Sequence, residues 1–405
     1  MIELNQIYCM DVFDFLRQLP DDNIHCCITS PPYFRLRKYG MEGELGSEST
    51  YIEYIERMVA VFHEVKRVLR KDGNLWLNIG DSYAGSGKGP SKSELQHSNP
   101  GALTGRNPKQ PGMKNKDLMM IPARLVIALH EDGWYVRSEI AWKKLNPLPE
   151  SVKDRPSRGH EMVYLLSKSP KYWFDIDAIR EPVAENTIGR GPVDFGGEKG
   201  RNYNPEADDP NYRSGSEQWG RTYNWRESSL LGRQKRTVWE VANEGLSEDH
   251  HAAFPSGLIE PMVLAGCPRY TCPECGKGYK RITERTFVPQ KDVSPERSIK
   301  GANGQKPMYE ENQWEGFPRG TTLIKSLGWQ PSCNCGSIGT APGIVLDPFM
   351  GSGTTALVAQ QLGRDYLGCD LNPEYVQMAE MRIVGRLEEY SARKKAKPFT
   401  VPMFE

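Results

Sequence analysis

An α/β fold, a mostly parallel sheet covered by helices on both faces, is what the sequence predicts, from three observations. Segments of strand character alternate with segments of helical period towards both ends of the chain. The apolar run Ile24 to Thr29 opens directly into Ser30-Pro31-Pro32-Tyr33, where proline cannot continue a paired strand. A second run, Ile344 to Leu346, opens into Asp347-Pro348-Phe349-Met350-Gly351-Ser352-Gly353-Thr354-Thr355, which reads as a strand, a tight glycine turn and a helix start.

Between these points the elements follow in order. From Tyr51 to Lys71, Ile52, Ile55, Val59, Phe62, Val65 and Leu69 recur at helical spacing, and Asp72-Gly73 supplies a stop signal. Asn74 to Ile79 is a strand that ends in Gly80-Asp81-Ser82-Tyr83. Residues 84–116, rich in Gly, Ser, Pro, Lys and Asn, predict a long mobile loop. Helical character from Leu118 to Leu129 leads into a strand from Trp134 to Trp142, the loop Asn146-Pro147-Leu148-Pro149, and a strand from Glu161 to Leu166. Residues 188–234 are polar and without period, either disordered or shaped by a partner. Pattern resumes at Ala252 to Leu264. After the glycine turn come a helix from Thr354 to Leu362 closed by Gly363, a strand from Tyr366 to Cys369, and a helix capped by Asn372 with Pro373 at its first position.

The 405 residues are 38% hydrophobic and 26% charged, as in a soluble globular protein. No apolar run reaches the length of a membrane span and the N-terminus lacks signal-peptide character, so a cytoplasmic protein without a membrane partner is expected. The 52 basic and 52 acidic residues balance, so any polyanion surface depends on local segregation of charge. Residues 221–236 show it: Arg221, Arg226, Arg233, Lys235 and Arg236 face Glu227 alone, interleaved with Tyr223 and Trp225, which reads as a solvated loop or a nucleic-acid contact.

The residues at the two strand ends carry chemistry. An exocyclic amine on a nucleobase is a poor nucleophile because its lone pair is delocalised into the ring. The Ser30 hydroxyl and the Pro31 carbonyl, fixed by Pro32, are suited to take its two hydrogens and localise that pair, and Tyr33 offers a face on which an extruded base stacks. The glycine turn brings backbone N–H groups to a ligand but lacks the Gly-Lys-Ser/Thr ending that grips a triphosphate. Asp370, at the end of the next strand, is placed to accept from a ribose diol or to cap the following helix.

With these motifs in this order, the chain resembles a permuted (β-group) DNA amino-methyltransferase of the N4-cytosine/N6-adenine family, most like the N4-cytosine type, whose tetrapeptide usually begins with Ser where the adenine type usually has Asp. The likeness covers most of residues 1–183 and 237–395. It implies a Rossmann-like S-adenosylmethionine-dependent fold, circularly permuted, with a mixed seven-stranded sheet containing one antiparallel strand. It further implies that Asp347, Phe349, Gly351 and Gly353, with Pro348 and Ser352 of the same loop, hold the methionine part of S-adenosylmethionine. Asp370 would then take its ribose, Asp11 in Tyr8-Cys9-Met10-Asp11 its adenine, and Phe254-Pro255 a further part of the cofactor. Asp81 also matches, as a site residue or a loop cap.

The expected organisation is then a catalytic half over 1–183, a target-recognition region over 184–236, a cofactor-binding half over 237–266 and 340–395, and a tail over 396–405. Residues 267–339 form a zinc-ribbon-like insertion. Cys272-Pro273-Glu274-Cys275-Gly276 has the knuckle form, and Cys333-Asn334-Cys335-Gly336 completes four thiolates for one structural zinc, with Cys267 as a substitute ligand and free cytosolic thiols as the alternative. The expected activity is methyl transfer to the N4 amine of a flipped cytosine in double-stranded DNA, with a cognate restriction endonuclease as a further partner. N6-adenine methylation is the alternative, RNA or protein amide methylation lies further off, and a non-catalytic nucleic-acid-binding protein is the rival of a different class. Carbon-5 cytosine methylation is excluded, because that family presents its nucleophilic cysteine after a proline and no cysteine here follows one.

Overall fold

The structure, a computed structural model, describes residues 2–36, 41, 43–85, 110–147, 149–181, 233–244, 254–289 and 320–396. Most of the expected mobile loop (86–109) and recognition region (184–232), with Arg221, Tyr223, Trp225, Arg226 and Glu227, lies outside the described residues, as does 290–319. By contact density the chain divides into two units, one of Met1–Ile179, Arg236–Lys280 and Trp329–Val401, the other of Arg180–Lys235, Arg281–Gly328 and Pro402–Glu405.

Among the described residues, the first unit contains a sheet of eight strands: β1 (Gln6–Cys9), β2 (Ile24–Thr29), β3 (Leu69–Ile79), β4 (Tyr135–Lys144), β5 (His160–Ser167), β6 (Val238–Val241), and, after β7 (Lys280–Pro289) and β8 (Gly320–Gln330), which pair with each other, β9 (Ile344–Asp347) and β10 (Asp365–Asp370). Their order is β1-β10-β9-β2-β3-β5-β4-β6. Every neighbouring pair is parallel except the two that involve β5. The single antiparallel strand is therefore as expected, but the sheet has eight strands rather than seven. The addition is β6, which pairs with the outer edge of β4 and buries Trp239, leaving that edge less of its unpaired backbone.

Among the described residues, six helices cover the faces. α1 (Val12–Arg17), α2 (Tyr51–Val68) and α3 (Ile121–Glu131) pack on one side, with Phe15, Phe62 and Leu125 against Leu75, Leu77 and Leu346. α4 (Ser256–Gly266), α5 (Thr354–Gln361) and α6 (Pro373–Ala396) pack on the other, with Ile259, Leu357 and Ala379 in one core with Trp76 and Val345. Adjacent residues such as Leu75 and Trp76 thus enter different cores, as the strand period of two requires. Among the described residues no helix is long and apolar enough to cross a membrane.

Local chemistry sets the boundaries. Thr50 and Glu53 form a reciprocal capping box at the start of α2. Asn372 accepts from Glu374 N–H at 2.9 Å, so the expected cap of α6 is present. The helix expected to run to Lys71 stops at Val68, because Leu69 is extended and pairs with Ile24; β3 therefore begins before Asp72-Gly73 and continues through it. In the second unit, the main chains of Glu181 and Arg233 exchange hydrogen bonds at 2.9 and 2.8 Å, reinforced by Arg233 Nε on Glu181.

A buried histidine ties three segments together. His25 Nδ1 accepts from Ile344 N–H at 3.0 Å, so Nε2 carries the proton and donates to the Gly276 carbonyl at 2.8 Å. Burial lowers its pKa from 6.5 to about 4 and keeps the ring neutral. The unfolded chain therefore takes up this proton as pH falls below 6.5 while the folded chain does not until about 4. At ~1.4 kcal/mol per unit, the wild type is expected to lose about 3 kcal/mol of stability between those pH values that His25→Gln does not lose. Paired urea denaturation curves at both pH values check this, and parallel losses would contradict it.

Candidate functional site

Adjacent strands β2 and β9 bring the two motifs to the same end of the sheet. Thr29 Oγ1 donates to Asp347 Oδ1 at 2.6 Å across a separation of 318 residues. The same oxygen accepts from Phe349 N–H at 3.1 Å, and Oδ2 accepts from Thr355 Oγ1 at 2.7 Å. Burial is complete and raises the Asp347 pKa to about 6. Asp347 does not line the neighbouring cleft; its contacts hold the serine motif and the glycine turn in register.

The turn itself requires glycine. Gly351 and Gly353 have φ of 51° and 79°, in the left-handed region. A Cβ on Gly353 would stand 2.7 Å from the Ala379 Cβ of α6, so the turn is packed against that helix as well as bent. Gly351 N–H donates to Asp370 Oδ2 at 2.9 Å, while Asp370 Oδ1 accepts from Asn372 N–H at 2.9 Å. Burial raises the Asp370 pKa against these two hydrogen bonds.

Beside the turn lies an open cleft. Of the residues expected in a site, Asp11, Ser30, Pro32, Phe254, Pro348, Phe349, Gly351, Ser352 and Asp370 line it. Pro31, Tyr33, Pro255, Asp347 and Gly353 are not among its lining residues. Pro255 precedes α4 as its N-cap, and Asp11 caps α1 by accepting from Phe13 N–H at 2.8 Å while still facing the cleft. Asp81 is a loop cap: its Oδ1 accepts from Ser82 and Ile121 N–H at 2.8 and 3.1 Å. The sequence did not single out Met41, Glu44 and Leu45, which follow the serine motif and complete the cleft wall; no periodicity or motif marks that loop. The wall thus mixes apolar Met10, Leu45, Phe254 and Phe349 with the carboxylates of Asp11, Glu44 and Asp370.

Ser30 stands at the rim of a second arrangement. Its hydroxyl donates to Tyr33 Oη at 3.2 Å, and Tyr33 Oη lies 2.8 Å from Glu161 Oε2 and 3.1 Å from Asn78 Oδ1. The Tyr33 ring lies against Gly80, where a Cβ would come within 2.5 Å of it. Tyr54 Oη donates to the Pro32 carbonyl at 2.9 Å, whereas no described residue donates to that of Pro31.

The cysteine pairs meet as well. The Sγ atoms of Cys272, Cys275, Cys333 and Cys335 lie within 4.8 Å of one another, a spread compatible with closing around one tetrahedral ion at sulfur bonds of about 2.3 Å. Cys267, the substitute ligand, is buried at the end of α4 and outside the group. The knuckle is anchored to the sheet by His25 on Gly276 and by Arg70 Nη1 on the Cys275 carbonyl at 3.0 Å.

Gly353→Ala adds both a left-handed strain and the clash with Ala379, and is expected to destabilise the protein by about 1–3 kcal/mol. Thermal denaturation beside Gly363→Ala, where the φ of 71° is also left-handed but a Cβ meets nothing within 4 Å, separates the packing cost from the backbone cost.

A family model described as DNA methylase matches residues 24–270 and 338–381. The Type II methyltransferase M.Cfr9I of Citrobacter freundii is 33% identical over 95% of this chain and 90% of its own. M.XycI of Xanthomonas campestris pv. cyanopsidis, also a Type II methyltransferase, is 34% identical over 93% of this chain and 86% of its own. Among solved structures, the cytosine-N4-specific PvuII DNA methyltransferase aligns over 93% of this chain and 85% of its own with a TM-score of 0.48 at 15% identity. The chain belongs to the N6/N4 DNA methylase family.

Proposed function

We propose that the protein transfers a methyl group from S-adenosylmethionine to the exocyclic N4 amine of a cytosine extruded from duplex DNA. The observation that carries this reading is the Ser30 hydroxyl in the wall of the cleft beside the glycine turn, held there through the Thr29–Asp347 hydrogen bond. The cleft suits the cofactor's chemistry: aromatic and methionine side chains for a flat base, and three carboxylates for a ribose diol and a cationic chain. Bound there, S-adenosylmethionine supplies a methyl carbon made electrophilic by its sulfonium.

The chain's own groups act on the amine. Ser30 Oγ, whose hydrogen is directed to Tyr33, presents its lone pairs to one amine hydrogen. The Pro31 carbonyl accepts the other, while the neighbouring Pro32 carbonyl is held by Tyr54. Withdrawing both hydrogens from the ring plane turns the nitrogen lone pair towards the cleft. Ser30, where the adenine type usually carries Asp, is the ground for choosing cytosine. We assign residues 184–236 to target recognition and Cys272, Cys275, Cys333 and Cys335 to one structural zinc, and take a cognate restriction endonuclease as partner because the relatives are named Type II methyltransferases.

Expression in an unmethylated host, followed by digestion of its DNA to nucleosides and mass spectrometry, is expected to yield N4-methylcytosine; N6-methyladenine would overturn the choice of base. Ser30→Ala is expected to lower the transfer rate by about 100-fold. Protein purified without added zinc is expected to carry about one equivalent, as the four-thiolate set requires; a metal-free protein as stable as the loaded one would sink that assignment.

A further inference from the structure

Methyl transfer leaves the amine nitrogen with a methyl group, two hydrogens and a positive charge, so one proton must depart. None of the carboxylates nearest the glycine turn is arranged to take it through Ser30. Asp347 is wholly buried and occupied by Thr29, Thr355 and Phe349, and the two oxygens of Asp370 hold backbone N–H groups. A different carboxylate is linked to Ser30. Resting on the reading that the amine binds at Ser30, we propose that Glu161, acting through Tyr33, receives the proton that the methylated amine sheds.

The hydrogen bonds from Ser30 run one way. Ser30 Oγ donates to Tyr33 Oη at 3.2 Å, and Tyr33 Oη donates to Glu161 Oε2 at 2.8 Å. Asn78 Oδ1, at 3.1 Å, competes for the same tyrosine hydrogen, and its orientation is set by the bond from Asn78 Nδ2 to the Met162 carbonyl. The charged and closer acceptor holds that hydrogen. The other Glu161 oxygen accepts from the Lys144 ammonium. The path therefore runs from the loop after β2, past Asn78 of β3, to the antiparallel strand β5 and the end of β4, in the sheet order β2-β3-β5-β4.

The transfer balances along this path. The nitrogen lone pair forms the bond to the methyl carbon as the carbon–sulfur bond breaks with its electron pair on sulfur. As that bond forms, the nitrogen gives one proton to Ser30 Oγ, Ser30 gives its own to Tyr33 Oη, and Tyr33 gives its own to Glu161 Oε2. Serine and tyrosine end neutral as they began, and Glu161 ends protonated. With 16% of its side chain exposed, Glu161 returns the proton to water between turnovers. Glu161 is thus a positioning and proton-accepting residue rather than one that touches the base.

The test is single-turnover transfer of labelled methyl to a duplex carrying the recognised site, located first by base-resolution mapping of methylation in the expression host, with DNA affinity and base extrusion followed in parallel by 2-aminopurine fluorescence. Glu161→Gln keeps an oxygen to orient Tyr33 but removes the proton acceptor, and is expected to slow transfer about tenfold or more while affinity and extrusion stay within about twofold. Glu161→Asp is expected to recover part of the loss. Tyr33→Phe, which keeps the ring and breaks the path, is expected to slow transfer similarly, and the double variant to be no slower than the slower single one. A Glu161→Gln rate within twofold of wild type, or multiplicative losses in the double variant, would overturn the proposal. If Glu161→Gln fails to fold by circular dichroism, Tyr33→Phe carries the test, and an unchanged rate there overturns it equally. A wild type that transfers no methyl to a base amine would instead mark failure of the functional reading itself.

Discussion

The buried carboxylate of Asp347 is the interaction on which the site depends. A carboxylate cut off from water is costly unless its oxygens are occupied, and here two threonine hydroxyls and one backbone N–H occupy them. The three donors come from the last residue of β2, the first turn of α5 and the glycine turn. Satisfying one charge therefore aligns the serine motif with the turn beside the cleft. The pairing of Cys26 and Cys27 with Val345 and Leu346 brings the strand ends level, and the hydrogen bonds complete the alignment. The same demand that a buried polar group find partners thus builds the meeting point of two motifs far apart in sequence.

Other buried polar groups extend this logic. Asn74 receives the Trp76 indole N–H at 2.9 Å and donates to the Gly266 carbonyl at 2.8 Å, joining the middle of the sheet to the end of α4. Gly266 permits that approach, since a Cβ there would lie 2.5 Å from the Trp76 nitrogen. His25 does the same for the cysteine knuckle, with one ring nitrogen on the strand leading to Asp347 and the other on Gly276. The knuckle is therefore tied by hydrogen bonds to the two strands that deliver the site. β1 closes the arrangement by pairing with β10, so that Asp11 and Asp370 leave neighbouring strands and face the same cleft.

Much of this was legible in the chain. The strand before Ser30, the glycine turn and the Asn372 cap rest on local chemistry, which tertiary packing did not override. Asp72-Gly73 misled because a helix-stop signal marks where a helix ends only if nothing earlier ends it, and the pairing of Leu69 with Ile24 did so. β6 went unread because four residues carry too little period to announce a strand, and its partner β4 is about a hundred residues away in sequence. The loop from Met41 to Leu45 carries no period at all, so its place in the cleft wall follows from the packing alone.

By itself, then, the sequence determined the alternation of elements, the two motifs, the four clustered cysteines and the residue types that give the site its chemistry, because those depend on neighbours within a few positions. Only the tertiary structure decided that Asp11 and Glu44 line the cleft while Asp347 does not, that Cys267 lies apart from the other thiols, and that Tyr33 reaches Glu161. Those facts turn on which strands lie side by side, and strand order is set by the burial of two cores over the whole chain rather than by any segment of it.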